Sequence, residues 1–469
     1  MRPSYLAIPL GAILLAGCTV GPNYKRPPVA VPPNFRAPTP LAAPQAASLA
    51  NLKWFQVFHD EKLQDLIRAA LVNNYDLRDA VTRVEQARAN LGITRSNQFP
   101  QFGAQGDLQI TRLSRDGQFP LSPAFLPTQI RNWGEVNLNF LSFEVDIWGR
   151  LRRATEAARA NLLNAEENRK AVVSTLVSDV ASDYFQLLEL DAELTISQRT
   201  LETRVESLQL TRHQQDHGTA TLLDVRQAEQ LVESAAESIT SLQQQIQQTE
   251  NEIALLLGRN PETIPRGLTL TQQELPDVPP GLPSALLERR PDILANEQAL
   301  IAANADIGVA RAAYFPQITL TGIIGSQTAS LANLFSGPTN EWTFVPQITQ
   351  PIFTAGRLKS GVRLAKAQRD EAQVAYERSL ATAFREVSDA LIAHQWTRAS
   401  RLDQERLVAA LEDRKRLAYI RYYGGLDTQL NALDADRDLF QAELTLAQIR
   451  YSELVSVVQL YKALGGGWQ

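Results

Sequence analysis

The chain has 469 residues, 44% of them hydrophobic, with 46 Lys and Arg against 51 Asp and Glu and a formal charge of −5 at pH 7. Acids and bases are intermixed along its length, so no basic face points to nucleic acid as a partner. A single cysteine, Cys18, forbids an internal disulfide and any cysteine-based metal cluster.

The first 17 residues read as a secretory signal. Arg2 supplies the positive charge, Tyr5 to Leu15 are mostly apolar, and the small residues Ala16 and Gly17 follow. This run is too short to span a bilayer as a helix. Its end, Leu15-Ala16-Gly17-Cys18, resembles a bacterial lipobox. That implies cleavage before Cys18, a diacylglycerol on its thiol and an acyl chain on its amine. Thr19, where an acid would retain the protein, implies by the same resemblance sorting to the outer membrane.

Downstream, the chain repeats itself. "LVNNYDLRDAVTRVEQARANLGITRSNQFPQ" (71–101) aligns with "LERRPDILANEQALIAANADIGVARAAYFPQ" (287–317) at an offset of 216. Asp76 matches Asp292, Gly92 matches Gly308 and Arg95 matches Arg311. The offset then becomes 207: Gly149-Arg150-Leu151 matches Gly356-Arg357-Leu358, "GTATLLDVRQA" (218–228) matches "GLDTQLNALDA" (425–435), and Leu257-Gly258 matches Leu464-Gly465. Eight prolines in 22–44 and six in 261–283 mark extended connectors, because proline fixes φ and has no amide hydrogen. The expected division is a signal peptide 1–17, a lipidated Pro-rich segment 18–50, a first repeat 51–258, a Pro-rich linker 259–283 and a second repeat 284–469.

Within each repeat, 68 residues without proline separate two glycines, Gly149 from Gly218 and Gly356 from Gly425. Each stretch is predicted to be one continuous helix, 150–217 and 357–424, roughly 100 Å long at about 1.5 Å per residue. After each second glycine a further helix is predicted, 222–257 and 430–464. In the first of these, Val225, Val232, Ile239, Ile246 and Ile253 recur every seven residues, with Ala228, Ala235 and Leu242 three positions later. A strict heptad makes helices supercoil. In the second, Leu439, Leu446 and Leu460 keep the register and Glu453 breaks it. Gly218 and Gly425 are therefore placed at the tips of two coiled-coil hairpins, supplying the positive φ that ends a helix.

Before each long helix the period changes to two. In "EVNLNF", Val136, Leu138 and Phe140 alternate with Asn137 and Asn139, and "ITLTGI" and "WTFVPQIT" alternate likewise. Each repeat is predicted to carry one β-hairpin, about 101–148 and about 317–355, of strands about ten residues long with one apolar and one polar face. Such strands suit the wall of a membrane barrel with a wet lumen, or a small soluble sheet with one face covered. Four strands cannot close a barrel, so membrane strands require several copies around a shared one.

"CTVGPNYKRP", "LLERRPDILANEQALIAANADIGVARAAYFPQITLTG", "GRL" and the turns "GTATLLDV" and "GLDTQLNAL" together resemble the TolC-like outer membrane factors, in the NodT-type lipoprotein branch that serves resistance-nodulation-division pumps. The resemblance implies a mainly α fold with membrane β-hairpins. In it a homotrimer forms a twelve-stranded β-barrel in the outer membrane and a long α-helical coiled-coil barrel in the periplasm. It implies a periplasmic adaptor and an inner-membrane transporter as partners, no cofactor beyond the lipid on Cys18, and no catalysis.

The family's tips dock the adaptor and close the pore, which places docking on Gly218, Thr221, Asp224, Gly425 and Thr428. Its aperture acids fall on Asn431 and Asp434, and its tip tyrosine on Tyr422. Asn431 stands where some members carry Asp, and Asp427 where some carry a basic residue. Three symmetry-related Asp434 carboxylates would form a negative ring favouring cations. Acids in first helical turns also cap amides and complement the dipole, which is the other reading of Asp434 and Asp224.

His59, His213, His217 and His394 are scattered; only His213 and His217, four apart, could share a helix face as a metal pair. No phosphate loop, His-Glu-x-x-His or nucleophile elbow occurs. Met occurs only at position 1, which speaks against a conduit specialised for soft metals. The expected function is a passive export duct in a tripartite efflux system. The alternatives are a lipid-anchored periplasmic scaffold without a pore, or a duct for metals or secreted substrates.

Overall fold

The computed structural model describes residues 19–37, 48–112, 114, 130–274, 279, 281 and 283–468. The signal segment and Cys18 lie outside the described residues, as does most of the first hairpin loop. The chain forms two units: Met1–Pro27, Glu85–Asn164 and Glu297–Ala375; and Pro28–Val84, Ala165–Asn296 and Tyr376–Gln469. They do not follow the repeats. Each draws on segments of both repeats. Among the described residues no helix is long and apolar enough to cross a membrane.

The first unit holds a four-stranded antiparallel sheet in the order β1 (Phe102–Arg112), β2 (Ile130–Glu144), β3 (Gln317–Thr328) and β4 (Asn340–Thr349). The two hairpins join through β2 and β3, with Leu138 opposite Ile324. Side chains alternate across a strand, so register fixes both faces. Ala104, Leu138, Ile324 and Trp342 form one apolar row, and Gln105, Asn137, Gly325 and Glu341 the neighbouring polar row.

One expectation needs correction. β2 has 15 residues rather than about ten, and its register slips by one residue between Phe140 and Phe143. Phe140 lies opposite Gly322 and Phe143 opposite Leu320, so the extra residue turns the odd-numbered Phe143 onto the face of the even-numbered apolar residues.

Below the sheet in this unit lie the second half of α2 (Tyr75–Ser96), the starts of α3 (Arg150–Asp216) and α6 (Arg357–Tyr423), and most of α5 (Pro291–Ala312). Ala157 and Ala160 of α3 meet Ala302 and Ala305 of α5, small residues that let the backbones approach. The described part of the Pro-rich segment, residues 20–37, holds no helix or strand and is pinned at its start. Val20 N–H donates to the Trp148 carbonyl at 3.0 Å, and the Asn304 amide donates to the Pro22 carbonyl at 2.9 Å. Tyr24 and Arg26 both donate to the Glu297 carboxylate, at 3.0 and 2.7 Å. A Cβ on Gly308 would stand 2.8 Å from the Val20 carbonyl oxygen, whereas at the repeat-related Gly92 it would meet nothing within 4 Å.

The second unit contains α1 (Glu61–Asn73), the remainders of α3 and α6, and the partner helices α4 (Leu222–Leu256) and α7 (Gln429–Ala463). Both long helices have 67 residues. Val225, Ala228, Ala235, Leu242, Ile246 and Ile253 of α4 are buried, the stripe the heptad predicts. Leu208 packs with Val225 and Ala228 in one hairpin, and Val408 with Leu439 and Ala442 in the other. Glu453 breaks the heptad because Arg401 of α6 reaches it at 2.6 Å.

The 259–283 linker is more than a connector. Ile264 and Leu270 are buried, and Arg266 bonds Asp191 at 2.9 Å. The Asp60 carboxylate, which caps α1, also accepts from Leu268 N–H and the Tyr184 hydroxyl, each at 2.9 Å. The prolines limit local helix there without preventing the apolar side chains between them from packing.

Candidate gate at the helical hairpin tips

Each hairpin turns on a glycine in the left-handed region, Gly218 at φ 72° and Gly425 at φ 68°. In the first turn, Gly218 N–H donates to the Gln215 carbonyl and Thr219 N–H to that of Gln214, both at 2.9 Å. In the second, Gly425 donates to Tyr422 at 3.0 Å and Leu426 to Arg421 at 2.9 Å. This is the paired closure of a Schellman turn, which satisfies the last helical carbonyls.

The helices that leave the turns are capped differently. Thr221 caps α4, and the Asp224 carboxylate returns to Thr221 N–H at 2.7 Å, completing a capping box. Thr428 precedes α7 without a side-chain cap, and its own N–H donates to the Asp427 carboxylate at 2.9 Å. The Asn431 amide also donates to Asp427, at 2.5 Å, and Arg421 pairs with it at 3.2 Å. Asn431, then the Thr428 amide and Arg421, hold the Asp427 carboxyl below the usual range. Asp427 thus anchors its own turn.

Near the tips, several rungs lace the second hairpin to α3 of the first. Tyr422 donates its hydroxyl to Gln214 Oε1 at 2.7 Å, the Gln429 amide donates to Thr211, and Arg204 donates to Asp436 at 2.9 Å. Burial raises the Tyr422 hydroxyl pKa, although its bond to Gln214 works the other way. Asp434 is half-buried and pairs with Arg437 one turn on, at 3.1 Å.

The structure therefore gathers Tyr422, Asp427, Thr428, Asn431 and Asp434 about one turn, and Gly218, Thr221 and Asp224 about the other. The His213 and His217 rings stack at 4.3 Å, with His217 Nδ1 against the His213 carbonyl oxygen. Among the described residues no group of three or more His, Cys, Asp and Glu is placed to hold a metal.

Sequence reasoning missed the deepest rung. Asp436 is gripped by Arg204 and by Lys415 of α6 at 2.6 Å. Arg204 also donates to the Leu231 carbonyl at 3.0 Å and stacks on Phe440 at 4.9 Å, so one guanidinium joins α3, α4 and α7. A signal was available in the repeat alignment. The 207-residue offset sets Glu229 against Asp436, and Glu229 likewise takes an arginine from the long helix, Arg212 at 2.8 Å.

Comparison with known proteins agrees with this architecture. Residues 66–259 and 282–466 match the family described as outer membrane efflux protein. The chain is 39% identical over 475 residues to the toluene efflux pump outer membrane protein TtgC of Pseudomonas putida, covering 100% of this chain and 96% of that one. It is 37% identical over 460 residues to the cation efflux system protein CusC of Escherichia coli, covering 98% and 97%. Among solved structures, the open state of the Neisseria gonorrhoeae MtrE outer membrane channel superposes with a TM-score of 0.87 at 34% identity, over 96% of this chain and 99% of that one. The chain belongs to the outer membrane efflux protein family and is an outer-membrane efflux channel.

Proposed function

We propose that this channel is the exit duct of a tripartite efflux system. It works as a homotrimer, receives its cargo through a periplasmic adaptor from a resistance-nodulation-division transporter in the inner membrane, and is tethered by lipid on Cys18. The observation that carries this reading is the sheet. Its outer strands β1 and β4 each have an unpaired edge, and large apolar side chains stand exposed on one face, among them Ile110, Ile324, Trp342 and Ile348. In hydrocarbon an open edge leaves backbone groups unsatisfied, so such a sheet is stable only when copies join β1 to β4 and close a barrel. Three copies make twelve strands, above the roughly eight needed for closure. The polar face, with Gln105, Asp107, Glu135 and Glu341, then lines a wet lumen.

Such a duct transports passively, and the partner pump supplies energy and most of the selectivity. Its cargo is small toxic compounds, with aromatic solvents and antibiotics favoured over soft metals because the chain offers no thioether past Met1. Purified full-length protein in a planar bilayer tests the reading. Stepwise currents from cross-linkable trimers are expected, and a protein that binds membranes but carries no current would be a scaffold.

A further inference from the structure

The two repeats meet the base of the sheet with opposite chemistry. In the first repeat the carboxylate of Asp146 accepts from Leu151 N–H and Arg152 N–H at 3.1 and 2.9 Å. Glu144 takes Arg150 at 2.8 Å, and Asp146 takes Arg152 at 3.3 Å. Every charge there is answered. In the second repeat the 207-residue offset puts Phe353 in the place of Asp146, and Phe353 is 88% exposed.

The helix that follows Phe353 carries Arg357, Lys359, Arg363 and Lys366, and its first acid is Asp370. All four cations are exposed, and among the described residues none makes an ion pair. Lys359, Arg363 and Lys366 are spaced four and three apart, so they share one helix face. Arg357 and Lys359 stand at the positive end of the helix dipole, where cations are disfavoured, so helix stability does not account for them.

A cavity of about 420 Å³ lies at the same place, lined by Trp148, Phe315, Pro351 and Arg357, with the Glu144–Arg150 pair and the Asp146 carboxylate, itself bonded to Arg152, at its wall. Trp148 and Phe315 stack at 4.6 Å. The apolar face of β4, with Phe344 and Ile348, continues past the strand into Ile352, which is 96% exposed, and Phe353. An apolar strip thus runs down the sheet to its base and ends at a cavity edged by the Arg357 guanidinium, while Lys359, Arg363 and Lys366 stand on the other face of the same helix.

We propose that this base is a binding site for an anionic phospholipid of the periplasmic leaflet. The phosphate group sits against Arg357 at the cavity mouth, and Lys359, Arg363 and Lys366, on the other face of the same helix, add to the positive potential there. The acyl chains lie along Ile352, Phe353 and the apolar face of β4. Charge complementarity selects an anionic headgroup, and continuity with the apolar sheet face selects a lipid over a free phosphate. The site rests on the reading of that face as the lipid-facing wall of a barrel.

Native mass spectrometry of the full-length protein, released from vesicles of phosphatidylcholine and phosphatidylglycerol in equal parts, tests the site. The wild-type trimer should retain phosphatidylglycerol in preference. Arg357→Gln should cut that preference about fivefold, and Lys359→Gln, Arg363→Gln and Lys366→Gln together should cut it further, since each cation near an anionic surface contributes about a fivefold factor. Arg357→Lys should retain most of the preference, and every variant should remain trimeric and conduct as the wild type does. Equal retention of the two lipids by the wild type, or a preference unchanged in the glutamine variants, overturns the proposal. Loss of the trimer in those variants overturns it too, by assigning the cations to a contact between copies. A wild-type protein without channel current would instead fail the barrel reading, which is scored separately from lipid retention.

Discussion

Arg204 of α3 and Asp436 of α7 form an ion pair at 2.9 Å with 4% and 3% of their side chains exposed. The pair joins the two hairpins, and Lys415 adds a second cation to the same carboxylate. Removing one member of a buried pair strands its partner's charge, at a cost of about 3–5 kcal/mol, whereas replacing both with apolar residues costs far less. Asp436→Ala is therefore expected to lower the unfolding temperature of the purified protein steeply, followed by helical circular dichroism. The double change Arg204→Met with Asp436→Leu should recover part of the loss, the remainder falling to Lys415, which is 28% exposed and loses its carboxylate. An Asp436→Ala protein that unfolds with the wild type would show that the pair contributes nothing net.

The turn glycines differ in what a methyl group would meet. At Gly425 a Cβ finds nothing within 4 Å, so Gly425→Ala carries only the strain of φ 68°, about 1–2 kcal/mol. At Gly258, with φ 67°, the Cβ would stand 2.4 Å from the Asn73 carbonyl oxygen, and backbone must move as well. Gly258→Ala should cost clearly more than Gly425→Ala in the same unfolding measurement. Equal losses at the two sites would mean that the close approach to Asn73 does not matter.

Acids buried along α3 give stability a pH slope. Burial, reinforced by Glu193 one turn away, pushes Glu189 up to about 8. Burial, with Glu252 and Asp179 adding to it, pushes Asp183 up to about 6. A carboxyl whose folded pKa exceeds its unfolded one binds more protons when folded, so stability falls as pH rises through that window. The unfolding temperature should decline from about pH 4, the ordinary carboxylate range, towards pH 8. Glu189→Gln should flatten the upper part of that decline and Asp183→Asn the lower part. Slopes identical to the wild type in both variants would sink the assignment.

Much of this fold was legible because it is duplicated and periodic. Proline-free runs bounded by Gly149 and Gly218, and by Gly356 and Gly425, became helices of 67 residues, and alternation in "EVNLNF" and "ITLTGI" became strands of one sheet. The features that stayed hidden depend on contacts between distant segments. The slip between Phe140 and Phe143 appears only when β2 is laid against β3. The clasp of Tyr24 and Arg26 on Glu297 joins residues more than 270 positions apart. Asp436 has the local look of any acid on a solvated helix, and only Arg204 and Lys415, arriving from other helices, make it a buried junction. At the tips the positions of Asp434 and Asp224 could be read from the repeats. Their partners, Arg437 for one and the Thr221 cap for the other, could not be ranked in advance against a role in the pore.

Those partners separate the two acids by experiment. Asp224 closes a capping box, so Asp224→Ala should cost about 1 kcal/mol of helix stability and leave ion selectivity unchanged. Asp434 holds only an exposed arginine one turn away, a pair worth no more than about 1 kcal/mol. Its removal should barely move the unfolding temperature. If three Asp434 carboxylates line the aperture, Asp434→Ala takes a negative charge from each copy and leaves Arg437 less opposed. The reversal potential across a salt gradient should then shift towards anions, or the single-channel conductance should rise. Asp434→Ala channels matching the wild type in both measurements would remove this residue from the gate, and the aperture would then have to be sought in the Tyr422, Gln429 and Asp436 rungs that hold the second hairpin against α3.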